Sequence, residues 1–214
     1  AGDANAELIQ AETKLNWTEA PGSVSMEVPD IPAICRAGKA KGVPVAHDNT
    51  WAAGLAFRAF DHGVDIVMQA LTKYHSGGSD VLMGAAITRD KALLHKLEMA
   101  HMRLGMGVSG DDTYLVLRGL PTMKLRFDAH DASARKVAAW LKARPEISAV
   151  LHPAFEDCPG HAVWQRDFTG AGGLFSVLFD PRYSEQQTDR FVDSLKLFGI
   201  GYSWGGANSL AVPY

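Results

Sequence analysis

Three short apolar runs, "TKLNWTEAP" (13–21), "VPVAHDN" (43–49) and "DIVMQALTK" (65–73), constrain this chain more than any other feature. Each reads as a strand, the first stopping at Pro21-Gly22. Between the first two lies "IPAICRAGKAKG" (31–42), a helix by its pattern, with a proline near its start and Gly42 placed to cap its end. Strand, helix and strand at this spacing predict βαβ units and a parallel sheet. A fourth run, "DVLMGAAIT" (80–88), follows the third closely enough for a tight return, and an antiparallel pairing is expected.

From Arg89 the pattern turns helical. "RDKALLHKLEMAHMRLG" ends at Gly105, and a second helical stretch runs from about Asp112 to Arg144, interrupted near Gly119-Leu120-Pro121. Then come apolar segments at 147–154 and 173–180, a helix at 184–199 and "GYSWGG" (201–206), an α+β order. The expected division is therefore a parallel or mixed α/β region, 1–119, followed by a smaller α+β region, 120–214.

Composition excludes some classes. Net charge is -3 with no Lys/Arg run, so nucleic acid is not an expected partner. No apolar stretch reaches the ~18 residues of a membrane span. Two distant cysteines, Cys35 and Cys158, form no disulfide framework and fit a reducing cytoplasm. The first residues lack the basic and apolar regions of a signal peptide and read as the middle of a helix. With no initial Met and an apolar Val-Pro-Tyr end, the expectation is a piece of a longer chain.

In open parallel sheets ligands bind beyond the carboxyl ends of the strands. Two runs here end in ionisable groups, Asp48 and Lys73. Side by side at one rim they fit a plain ion pair. They also fit a cofactor site, because Thr72 offers a hydroxyl and the His75-Ser76-Gly77-Gly78-Ser79 turn offers small residues and backbone N–H groups that suit a phosphate. A lysine, a carboxylate and a phosphate cradle together suggest pyridoxal phosphate: the lysine forms a Schiff base and the acid keeps the pyridine nitrogen protonated.

The segment "ALTKYHSGGSDVLMGA" (70–85) resembles the lysine motif of the Cys/Met-metabolism family of pyridoxal-phosphate enzymes. Four more segments resemble that family's motifs, in its order: "TEAPGSVSMEVPDIPAI" (18–34), "AHDNTWAAG" (46–54), "YLVLRGLPTM" (114–123) and "GYSWGGANSL" (201–210). Within the family, Pro-Gly-Ser at 21–23, Trp51 to Gly54, "RDFTGAGGLFS" (166–176) and Tyr202-Ser203-Trp204 most resemble bacterial cystathionine β-lyases.

The resemblance implies a fold-type I, transferase-like α/β fold. This chain would hold part of the large sheet domain and most of the smaller C-terminal one. Lys73 would carry the cofactor and act in proton transfer, Asp48 would pair with the pyridinium nitrogen, and Thr72 would bond the phosphate. Ala70 would stand at a phosphate position where many relatives carry serine. Ser203 and Trp204 would line the site of the substrate carboxylate. The implied reaction is β-elimination of L-cystathionine to homocysteine, pyruvate and ammonia in methionine synthesis, by a cytoplasmic homotetramer. The γ-lyases and γ-synthases use the same core, and a catalytically incomplete fragment is the other alternative. Family members run to nearly twice this length, with a glycine turn, a ring-stacking tyrosine and a carboxylate-binding arginine outside this stretch. Asn208 stands where the family motif has an acid.

Other signals carry less. His95, Glu98 and His101 are three apart, and at ~100° per residue the outer two diverge by about 120°, so no shared metal is expected. "GAGG" (170–173) reads as a turn before a strand. Strand alternation points His47 away from Asp48, into a structural role. Arg118 could be catalytic in isolation but reads first as a structural arginine near the division. Loop geometry accounts for Ser76 and Ser79, with a direct phosphate contact the lesser alternative. Trp51 fits either the core or the wall of a pocket.

Overall fold

The structure, a computed structural model, describes residues 7–214. The opening of the helix expected at the start lies outside them. A four-stranded sheet forms the frame, in the order β1 (Asn16–Glu19), β2 (Val45–Asp48), β3 (Ile66–Ala70) and β4 (Gly84–Thr88). The first three strands are parallel and β4 returns antiparallel along β3, from Ile66↔Thr88 to Ala70↔Gly84. The strands are shorter than the apolar runs that encode them. β3 stops at Ala70, whose N–H goes to the Thr50 hydroxyl at 2.8 Å, and Lys73 falls in the turn beyond.

Helix α1 (Ile31–Ala40) makes the first crossover. The Asp30 carboxylate caps the Ala33 N–H at 2.9 Å, and Pro32 occupies the first turn, where its missing N–H is no loss. Gly38 lets the helix touch the sheet: a Cβ there would sit 2.7 Å from the Val43 carbonyl. Helix α2 (Lys91–Leu104) starts at the Asp90 cap and ends at Gly105. The long helical stretch divides as expected into α3 (Gly110–Gly119), a 3-10 turn over Leu120–Thr122 and α4 (Met123–Lys142). Pro121 lies in the break, where it removes one backbone donor.

Beyond α4, β5 (Ile147–Leu151) pairs antiparallel with β6 (Ser176–Phe179). Between them α5 (His161–Asp167) is a helix the sequence pattern did not announce; it starts from Gly160, at φ 82° and pressed on the Val28 carbonyl. Helix α6 (Glu185–Asp193) opens with a Ser184–Gln187 capping box and ends six residues before its expected limit. The Ser194 hydroxyl donates to the Phe191 carbonyl at 2.7 Å there, and the chain turns out of the helix. Short strands β7 (Gly199–Ile200) and β8 (Leu210–Ala211) pair in parallel and bracket the loop 201–209.

One hydrophobic core runs through both expected regions. Trp51, Phe57 and Tyr74 from the first meet Phe127, Cys158, Phe168 and Ala171 from the second. Phe57 and Phe168 stack at 4.6 Å, and the Trp51 indole donates to the Leu174 carbonyl at 2.9 Å. Trp51 is thus a core residue. Both cysteines are buried free thiols, each pushed up to about 11, chiefly by burial. Among the described residues, no helix is long and apolar enough to cross a membrane.

Candidate active site

The parallel strands bring their carboxyl ends to one rim. β1 ends on Glu19, which pairs with Asp48 at the end of β2, and Asp48 pairs with Met68 in β3. The Asp48 carboxylate accepts the Thr50 N–H at 2.9 Å, an Asx turn that lifts the chain out of the sheet. The Thr50 hydroxyl then secures the end of β3. These bonds lace the Asp48 loop to the strand that leads to Lys73.

His47, one residue earlier, faces the opposite way and is fully buried against Phe57. The Thr18 hydroxyl donates to the Ala46 carbonyl at 3.0 Å, which leaves it to accept from the His47 Nδ1–H at 3.0 Å. Burial lowers this imidazole to about 4. It is a neutral structural ring, as alternation predicts.

Lys73 sits in a tight turn. Its N–H goes to the Ala70 carbonyl, that of Ser76 to Leu71 and that of Gly77 to Lys73. The N–H groups of Ser76 and Gly77, expected to face a phosphate, therefore close the turn itself. Its small residues are explained by crowding. Helix α3 crosses the turn at Gly119, where a Cβ would lie 2.1 Å from the His75 carbonyl, and the Arg126 guanidinium packs on Gly77. Thr72 accepts the Met83 N–H at 3.0 Å and donates to the Met83 carbonyl at a long 3.3 Å. Tyr74 is completely buried against Phe127 and His130, and its hydroxyl accepts the Gly173 N–H at 2.6 Å. That tyrosine anchors the turn, and sequence reading passed over it; its place beside the lysine was the available signal.

The lysine amine reaches across to the C-terminal loop. Nζ donates to the Ser203 hydroxyl at 2.9 Å and lies 4.1 Å from the centre of the Trp204 ring. The amine is held below the usual lysine range by partial burial, with the Asp48 charge pulling the other way. Trp204 keeps its indole N–H buried, with no hydrogen-bond partner among the described residues. Residues 130 positions apart thus meet over one amine, next to a carboxylate at a strand end. Ala70 ends β3 just before the turn and Thr72 lies within it, with its hydroxyl directed to Met83.

The remaining candidates stay apart from this cluster. His95, Glu98 and His101 are exposed on α2, and among the described residues no group of three or more His, Cys, Asp or Glu is placed to hold a metal. Arg118 is exposed, with its guanidinium 5.7 Å from the Tyr114 ring. The Ser76 hydroxyl donates within the turn to the Thr72 carbonyl.

Comparison with known proteins bears on this geometry. The family model described as Cys/Met metabolism PLP-dependent enzyme matches residues 2–213. A cystathionine beta-lyase of Haemophilus influenzae is 41% identical over 98% of this chain and 53% of its own length. An L-alanine/L-glutamate racemase of Wolbachia pipientis is 40% identical over 97% of this chain and 51% of its own. A cystathionine gamma synthase of Xanthomonas oryzae superposes with a TM-score of 0.93 at 31% identity, over 99% of this chain and 54% of that one. The chain spans about half the length of the curated relatives it matches. With its motifs matched from end to end and folded around one lysine, the chain belongs to the Cys/Met-metabolism family of PLP-dependent enzymes.

Proposed function

We propose that this chain carries the lysine-bearing part of a carbon–sulfur lyase that performs β-elimination on L-cystathionine, yielding homocysteine and, after one water hydrolyses the eliminated enamine, pyruvate and ammonia. One observation carries the reading: the half-buried Lys73 amine, lowered in pKa by burial against the pull of the Asp48 charge, donates to Ser203 and lies over the Trp204 ring. An ion pair built for stability would gain nothing from a lowered amine or from an orphaned indole N–H beside it.

The residues present fit pyridoxal phosphate. Asp48 would hold the pyridine nitrogen protonated, and Lys73 would hold the cofactor covalently. The Thr72 hydroxyl can turn from its long bond to Met83 toward the phosphate, whereas Ala70 brings only a methyl. When bound, the cofactor supplies an electron sink for the pair left on the substrate Cα. Lys73, neutral more readily than an ordinary lysine, then takes the Cα proton and returns a proton to the leaving thiolate. Ser203 and the Trp204 N–H hold the substrate carboxylate, and the indole shields the amine from water. Asp48, Ala70, Thr72 and Lys73 belong to the region 1–119 of this reading, and Ser203 and Trp204 to the region 120–214. A homotetramer acting on an amino-acid substrate completes it.

The similarity to a protein named cystathionine beta-lyase supports β-elimination. The racemase and the gamma synthase share the core, so fold alone does not choose the chemistry. The test is product analysis of the full-length protein with pyridoxal phosphate and L-cystathionine. Pyruvate is expected. 2-Oxobutyrate would assign γ-elimination instead, and interconversion of alanine enantiomers without lyase products would assign racemisation. Asp48→Asn is expected to reduce turnover far more than it lowers the melting temperature.

A further inference from the structure

The loop that carries Ser203 and Trp204 is poorly tied to its own neighbours. Its regular bonds lie at its ends, in the two-residue pairing of β7 with β8. In between, it leans on the lysine turn. Gly205, at φ 72°, lies against Tyr74, where a Cβ would come within 3.0 Å of the ring and of the Tyr74 N–H. The next residue, Gly206, faces Ser79: a Cβ there would sit 2.0 Å from the Ser79 hydroxyl oxygen. That oxygen accepts the Ala207 N–H at 3.2 Å. Ser79 itself is held at φ 61°, a left-handed backbone that serine rarely adopts. The strained backbone aims the hydroxyl at the loop, and a glycine opposite leaves just enough room for it.

We propose that Ser79 is a positioning residue: with Gly206 it forms a clasp that sets the distance between Lys73 and the Ser203–Trp204 pair. This rests on the reading of Ser203 and Trp204 as substrate-side residues. Ser79 touches neither substrate nor cofactor in this account. It acts by holding Gly206 and Ala207, three and four residues past Ser203, to the turn that carries Lys73.

The test uses the full-length enzyme with bound cofactor and reads two things: peptide-resolved backbone hydrogen exchange across 203–209, and KM and kcat for the substrate the wild type turns over. Ser79→Ala and Ser79→Gly both remove the acceptor, but only glycine relieves the backbone strain. If the acceptor matters, both variants speed exchange at 203–209 and raise KM by roughly 2- to 12-fold, the range of one hydrogen bond. The cofactor absorbance and exchange across 71–77 stay unchanged. Gly206→Ala, which drives a methyl into the Ser79 oxygen, does the same more strongly. The decisive arm is the pair. In Ser79→Gly/Gly206→Ala the methyl has space, so the second substitution adds little to the first, a strongly non-additive cycle.

Unchanged exchange and KM in Ser79→Gly would overturn the clasp. So would an equal penalty for Gly206→Ala in both backgrounds. A wild type that makes no pyruvate from cystathionine would defeat the proposed reaction alone, because the exchange measurement judges the clasp whatever the enzyme acts on.

Discussion

Two segments meet at the Lys73 amine, and they are built in opposite ways. The lysine turn, 71–79, is anchored from within. Its carbonyls take its own N–H groups, Thr72 ties it to Met83, and Tyr74 sinks completely into the core. The loop 201–207 has little of this. Tyr202 within it is 73% exposed, and Leu197 and Ile200 just before it are also exposed. Its order comes from the turn, through Ser203, Gly205 and Gly206. Under the proposed function, the group that would need a fixed protonation environment is on the anchored side, and the groups that would meet a variable substrate are on the less anchored one. Relatives with this core carry names for different reactions on amino acids, and that asymmetry offers a physical route: the loop can change while the turn does not.

The largest effect tests the rigid side directly. In the full-length protein, Lys73→Ala is expected to abolish turnover and the visible absorbance of the bound cofactor, while circular dichroism shows an intact fold. Unaltered absorbance would remove the central assignment. Next is Tyr74→Ala. Deleting a completely buried aromatic costs about 3–5 kcal/mol, and denaturant unfolding should show a loss of that size. Tyr74→Phe keeps the packing and strands only the Gly173 N–H, about 1–3 kcal/mol. If Tyr74→Ala were mild, the turn would not be core-anchored and the contrast would fail.

Acid should also reach the anchored side. His47 is lowered to about 4 by burial, below its ordinary value, and His152 likewise. Between about 6.5 and 4 the unfolded chain binds a proton that each folded ring refuses. Stability is therefore complete above about pH 6.5 and falls as pH drops toward 4, by about 1.4 kcal/mol per pH unit per ring. Unfolding midpoints measured across that window check the slope, and His47→Gln should reduce it by one proton's worth. Gly119→Ala comes after this. A methyl 2.1 Å from the His75 carbonyl forces α3 off the turn, an overpacking cost of about 1–3 kcal/mol, read from the same midpoints.

Local pattern reached the frame and the chemistry unequally. The parallel order of β1 to β3 and the antiparallel β4 followed from spacing alone, because crossover length and handedness leave few alternatives. The break at Pro121 was legible because a missing N–H is a local fact. Helix α5 was not, since its seven residues depend on Gly160 meeting Val28, a contact far apart in sequence. At the site, Asp48 could be read as a strand-end residue, whereas Lys73, read the same way, falls in the turn beyond β3. The approach of Ser203 and Trp204 to Lys73 could not be read from local pattern, because some 130 residues intervene; only the family resemblance put that pair at the site. That the Ser76 and Gly77 N–H groups close the turn, and that Arg126 packs on Gly77, was equally out of reach, because Arg126 lies some fifty residues away.

The smallest effect marks the other edge of the contrast. Leu197 is 87% exposed, two residues before the loop opens at β7. Leu197→Ser removes apolar surface that this chain does not bury, so the 214-residue chain should change by less than about 0.5 kcal/mol. The same substitution in a longer protein containing this chain is the sharper measurement. A loss above about 1.5 kcal/mol there, with none in the chain alone, would mean that a further surface covers this segment. The loop would then be braced from outside as well as by the lysine turn. Equal, negligible losses in both would leave the turn as its support, and the Lys73–Ser203 distance would depend on the Tyr74 and Ser79 contacts.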